Sequence, residues 1–393
     1  MRGTAASRVW RRHFSAAKAK SVLRGAAKAK PRTQSPLVEF QLDSREVKHM
    51  TPHMLCAAAA SAGASRHSSE ALWKAYSERA LTLGKSMTLR DVRLLLQGFA
   101  EASVKDYALF QKLAGELPSD PGGQALPRDY CHIAVALAKL KFRGGHVFEK
   151  IGKHVLAHAE TLEVMDLASV VNAFSRTACC DSMFFREVAT RFRAAAEESS
   201  RDLTPAATAL VLNGYAVCSH CDASLWKALL DAVVVPRVAE FTVTQCALVA
   251  NSVSKCSHVL PDAPRVLAAF AEHWAARGEW KAISTEDLAY FADAFARLRA
   301  SEHSELNMAF AAAGMKRLSE FKGGQLAMLC SALQSLPSSA RGAFLVMAAR
   351  HALPDVLKDC SLLDLAALVG TFVRTGTPVP RDVADSLFAR VAA

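Results

Sequence analysis

The chain has 393 residues, with 48 lysines and arginines against 37 aspartates and glutamates, 51% hydrophobic residues and 7% aromatics. That hydrophobic share excludes a disordered polymer, and 14 prolines and 19 glycines in an alanine-rich chain favour helices over the many tight turns of a barrel or sandwich. The longest apolar stretch, Ala206 to Cys218, is broken by Asn213 and Gly214, which excludes a membrane-spanning helix.

The first predicted region is a leader. Residues 1–38 hold ten of the basic residues, from Arg2 to Arg32, and no acid; Glu39 is the first carboxylate. From there on, 38 basic residues face 37 acidic ones, so nearly all the net charge of +11 belongs to the leader. An arginine-rich, acid-free segment with Val9, Trp10 and Phe14 among its arginines has the composition of a mitochondrial transit peptide, and Arg12-His13-Phe14-Ser15 places a matrix-peptidase cut between Phe14 and Ser15. A basic nucleic-acid arm or nuclear signal is the alternative. Residues 39–47 read as a linker and 48–393 as a helical array.

The array is legible as an internal repeat. One anchor position recurs at Ala60, Phe99, Leu137, Phe174, Tyr215, Val253, Phe295, Leu333 and Phe372, at spacings of 37 to 42 residues. The residue before each anchor is small, as in Gly98, Ala136 and Gly214, and apolar residues recur four and seven positions earlier, so that one stripe of an α-helix is apolar. Eleven residues before the anchor stand Thr88, Thr204, Thr242, Ser284 and Ser361, followed three residues later in most units by an acid or glutamine such as Asp91, Gln245 or Asp364. This is the capping-box pattern of a helix N-terminus. Second amphipathic helices are predicted over 108–117, 147–159, 184–196, 225–235 and 309–318. The expected fold is all-α: an α-solenoid of about nine antiparallel helix pairs.

Residues 133–140 (IAVALAKL), 166–176 (DLASVVNAFSR) and 288–298 (LAYFADAFARL) resemble the first helix of heptatricopeptide and octotricopeptide repeats, organellar relatives of pentatricopeptide repeats. Second helices beginning at Ala108, Val147 and Met183 are similar to that family's second helix. The resemblance covers about residues 48–393. It implies mitochondrial RNA metabolism, through transcript binding or service in a mitoribosome, editing or RNA-processing assembly. Neither the proline-rich signature of octotricopeptide second helices nor the RAP domain often appended to heptatricopeptide arrays is found, which counts against a nuclease-like role.

Two columns are candidates for RNA contact. Two residues before the anchor come Gln97, Asn172, Asn213, Asn251 and Asp293; two after it come Lys139, Arg176, Lys255, Arg297 and Arg374. These positions are four apart on one helical face, and stacked units would align amides for base edges beside cations for phosphates. The competing explanation is that a cation in the last helical turn complements the helix dipole, and that Asp293 with Arg297 is an ordinary helix-surface pair. The near-neutral array favours a protein scaffold over an RNA binder, while the polar ladder favours RNA.

The ten cysteines are scattered along the chain, so reduced thiols are expected. Cys218, Cys221 and Cys256 fall near turns of adjacent units, with Cys179 and Cys180 one unit earlier. They would suit zinc if they converged, or fill helix junctions as buried thiols. The sequence has no P-loop, GxGxxG, HExxH or GxSxG, so neither catalysis nor a cofactor, metal or small-molecule substrate is expected.

Overall fold

A computed structural model describes residues 46–117, 126–277, 283–298, 304–335, 338–351 and 353–392. The expected leader and most of the linker lie outside them. Among the described residues the chain forms helices and no strand, as the repeat predicts. The first helices of the nine units are α1 (Pro52–Ala64), α3 (Leu89–Ala102), α5 (Pro127–Lys139), α7 (Val164–Arg176), α9 (Pro205–Val217), α11 (Val243–Lys255), α13 (Thr285–Arg297), α15 (Gly323–Ala332) and α17 (Leu362–Thr375). Between them come the second helices: α2 (Glu70–Leu83), α4 (Tyr107–Gly115), α6 (Gly145–Ala157), α8 (Ser182–Glu198), α10 (Ala223–Leu229), α12 (Ala263–Arg277), α14 (Ser304–Met315), α16 (Ser338–His351) and finally α18 (Arg381–Ala392). Helix α10 continues into a π-helical turn over Leu230–Val234, and a one-turn helix, Leu353–Val356, follows α16.

Each first helix packs on the first helices before and after it, from α1 through α17. Second helices form a second layer, packed in sequence from α2 to α10 and again between α14 and α16. This two-layer succession is the α-solenoid.

The N-termini of the first helices are built as the sequence predicts. Thr88, Thr242 and Ser361 accept hydrogen bonds from the backbone N–H of Asp91, Gln245 and Asp364, whose side chains return to the capping residue. Thr51, Thr204 and Ser284 also cap their helices. The anchors Phe99, Leu137, Phe174, Tyr215, Val253, Phe295, Leu333 and Phe372 are all buried. Aromatic contacts run through them: Phe174 meets Phe148 of the preceding unit edge-on and stacks on Phe184 of its own, and Phe185 meets Tyr215 of the next edge-on.

The C-termini carry a feature that residue types concealed. Four residues after the anchor, Ser103, Lys141, Ala178 and Ser219 adopt left-handed backbone, as does Gly376. The next N–H returns to the anchor carbonyl: Val104 to Phe99, Phe142 to Leu137, Cys179 to Phe174, His220 to Tyr215 and Thr377 to Phe372. This is a Schellman closure. In the first unit the left-handed residue is Arg66, and the N–H of His67 returns to Ala62. The first anchor is therefore Ala62 and not the expected Ala60; Thr51, its N-cap, stands eleven residues before Ala62, as in the other units.

Arginines at or just beyond the ends of second helices close the first, fifth and seventh units on themselves. Arg79 donates to the Met50 carbonyl at 2.8 Å, Arg237 to Ser200 and Leu203 at 2.7 and 3.0 Å, and Arg317 to Ile283. Arg237 and Arg317 sit in the same phrase, Arg-x-x-Glu-Phe, and each pairs with the glutamate three residues on.

Candidate nucleic-acid interface

The column two residues before the anchor is buried or half-buried throughout. Asn213 Nδ2 donates to Asn172 Oδ1 at 3.3 Å, joining α9 to α7. Gln97 donates to Glu101 within α3 at 2.8 Å. Asn251 is 2% exposed, and its Oδ1 has no hydrogen-bond partner among the described residues. Asp293 is 8% exposed and accepts from Arg297 Nε at 2.6 Å. The expectation of an open row of amides is corrected accordingly: Asn251 and Asp293 are enclosed by packing, and Asn172 and Asn213 are half-buried and spend hydrogen-bonding capacity on each other. The small alanines around them bring adjacent helices too close for these side chains to project freely.

The second column does reach solvent. Lys139, Arg176, Lys255, Arg297 and Arg374 are all exposed. Arg374 Nε donates to Gln334 Oε1 at 2.9 Å, and Gln334 in turn donates to Thr371. Lys139 and Arg176, on adjacent units, have no acidic partner among the described residues. Lys255 reaches solvent, yet crowding around its ammonium and then the positive charge of Arg297 on the next unit lower its pKa, against the opposing pull of Asp293. Two cations on neighbouring units thus feel each other directly. Val217 occupies the same position in the fifth unit, 47% exposed, and divides the column into a Lys139–Arg176 pair and a Lys255–Arg297 pair.

Sequence reasoning missed a third row. The acid at the third position of the first helices also binds the unit before it: His53 lies 3.5 Å from Asp91, Arg93 Nε 2.7 Å from Asp129, and Arg128 Nε 3.1 Å from Asp166. Later units replace the ion pair by a hydrogen bond, Thr244 to Asp287 at 2.8 Å and Thr285 to Gln325 at 3.0 Å. Burial raises the Asp166 pKa, against Arg128 and His132 nearby; burial also lowers that of His132. The residues were visible in the sequence, but their partners lie a full unit away.

The cysteines do not converge on one centre. Cys180 and Cys218 form a disulfide between the fourth and fifth units, which corrects the expectation that all thiols are reduced. Cys221 Sγ instead lies 2.7 Å from Cys256 Sγ. Cys218, Cys221 and Cys256 are therefore divided between two pairs, and among the described residues no group of three or more His, Cys, Asp or Glu side chains is placed to hold a metal ion. No described helix is long and apolar enough to cross a membrane.

The all-α array of paired helices, together with a family match over its first half, fits a helical-repeat, RNA-associated protein. Residues 12–198 match the family model of the RNA-editing substrate-binding complex 6 protein. The match ends where α8 ends, at Glu198, closing the fourth unit. No curated protein matches the sequence.

Proposed function

We propose that this chain is a mitochondrial, non-catalytic subunit of an RNA-editing assembly, and that it contacts single-stranded RNA along the cationic column of its first helices. In this reading Lys139, Arg176, Lys255 and Arg297 neutralise phosphates. The half-buried Asn172 and Asn213 join two adjacent units through their own hydrogen bond. The family named for an RNA-editing substrate-binding complex, matched over residues 12–198, supports the assembly, and the acid-free leader supports the compartment. The observation that carries the RNA contact is the exposed cationic column, in which Lys139 and Arg176 on adjacent units have no acidic partner among the described residues.

Charge reversal at Lys139, Arg176, Lys255 and Arg297 together tests it by titration of single-stranded RNA over a range of salt concentrations. The expected result is weaker binding with a log–log salt slope shallower by about 3, for four lost phosphate contacts at roughly 0.7 each. An unchanged slope overturns the RNA reading. It would favour a scaffold that holds protein subunits, the reading to which the Asn172–Asn213 bond between units also lends itself.

A further inference from the structure

Two sulfur pairs join consecutive units at equivalent places. Cys180 stands six residues after the anchor Phe174 and Cys218 three after Tyr215; Cys221 stands six after Tyr215 and Cys256 three after Val253. The first pair is bonded, with Cα atoms 5.4 Å apart. The second holds its sulfurs at 2.7 Å, inside the separation of two thiols at rest.

The backbone explains the equivalence. Ala178 and Ser219 take the left-handed turn, and the N–H groups of Cys179 and His220 return to the anchor carbonyls. That closure presents the residue six after one anchor to the C-cap of the next first helix, and Cys218 and Cys256 are the C-cap residues of α9 and α11. At the neighbouring junctions the same positions hold Arg143 with Thr177 and Val259 with Leu298, so the paired cysteines are confined to the fourth, fifth and sixth units.

We propose that Cys221 and Cys256 form a second, oxidisable cross-link between units, which with Cys180–Cys218 staples the fourth, fifth and sixth units covalently. The step is thiol–disulfide exchange with a small disulfide of the glutathione class. Cys221, the more exposed of the two, attacks as thiolate; one S–S bond of the oxidant breaks, a mixed disulfide forms on Cys221, and one small thiol leaves. Cys256 Sγ then attacks Cys221 Sγ, and its proton leaves with the second small thiol. Two protein thiols are oxidised and one disulfide is reduced to two thiols. Burial, together with Cys221, keeps Cys256 protonated and out of reach of the oxidant, which assigns it the resolving role. The proposal does not depend on RNA contact, although Cys256 directly follows Lys255 of the cationic column.

Peptide mapping of the full chain, incubated with glutathione disulfide and then alkylated under denaturing conditions, tests the proposal. The expected product is a Cys221–Cys256 cross-linked peptide lighter by two hydrogens than its two parts. Cys256→Ser should leave glutathione on Cys221, and Cys180→Ser should leave the Cys221–Cys256 link in place. The proposal is overturned if Cys221 and Cys256 in the unaltered chain remain alkylatable while Cys180–Cys218 is closed. It is equally overturned if Cys221 retains glutathione there, or if it is found linked to Cys179 or Cys218.

Discussion

Gly98 of α3 rests directly on the backbone of Ala59 in α1: a Cβ built on Gly98 would stand 2.6 Å from the Ala59 carbonyl carbon. Backbone cannot swing aside as a long side chain can, so Gly98→Val should force the two helices apart. A loss of about 1–3 kcal/mol is expected, the cost of overpacking a well-filled junction, and urea denaturation would measure it. Unaltered stability would mean that the first two units are not held at this distance.

Phe295 is 1% exposed and packs against Phe310 of its own unit's second helix. Phe295→Ala removes a buried ring at the centre of the seventh unit and should cost about 3–5 kcal/mol, read from the denaturation midpoint. A cost near zero would show that the anchor position does not hold the unit together.

Ala178 and Gly376 occupy the same left-handed position in the fourth and ninth units, with φ of 59° and 63°. Their exchanges should therefore have opposite signs. Ala178→Gly relieves the Cβ clash and should stabilise by about 0.5–1 kcal/mol, after the extra entropy of glycine in the unfolded chain is subtracted; Gly376→Ala should destabilise by a similar amount. Thermal melts of the two variants check the pair, and equal signs would contradict the closure described here.

Acidification should loosen the third unit. Burial, then the charges of Arg93 and Arg128, lower the His132 pKa below its ordinary 6.5, while Asp166 opposes them. The unfolded chain therefore binds more protons than the folded one between that lowered value and pH 6.5. Stability rises with pH across the window and is lost as pH falls through it. Burial and neighbouring Lys150 lower His154 in the same direction. Asp166, raised from 3.8, acts oppositely: its share of stability falls as pH climbs from 3.8 to its raised value. Melting His132→Gln beside the unaltered chain should show a smaller loss on acidification; identical profiles would remove His132 as a contributor.

Local patterns carried most of the fold. Hydroxyl caps, anchors and the apolar stripe all depend on residues within one helix, and the structure places them as read. The first unit slipped by two residues because its alanines, Ala57 to Ala60, offer no large side chain to mark the register, whereas the backbone bond from His67 to Ala62 does. The left-handed closures were hidden because four of the five after the first unit are made by serine, lysine and alanine, with glycine only at Gly376. At the candidate interface the cations were legible and the amides were misjudged. Whether Asn251 meets solvent depends on how near the next helix lies, and that distance is set by alanines one unit further along. The repeated Arg-x-x-Glu-Phe phrase at 237–241 and 317–321 was a usable signal for the clasp that ends the fifth and seventh units.

That clasp bears on how the array can change in length. Arg79, Arg237 and Arg317 each satisfy carbonyls at the entrance of the unit that the same arginine ends. A whole unit can be gained or deleted without stranding an arginine on one side of the seam and an unsatisfied carbonyl on the other. Partial units have no such freedom, so viable size variants of this molecule should differ by complete helix pairs.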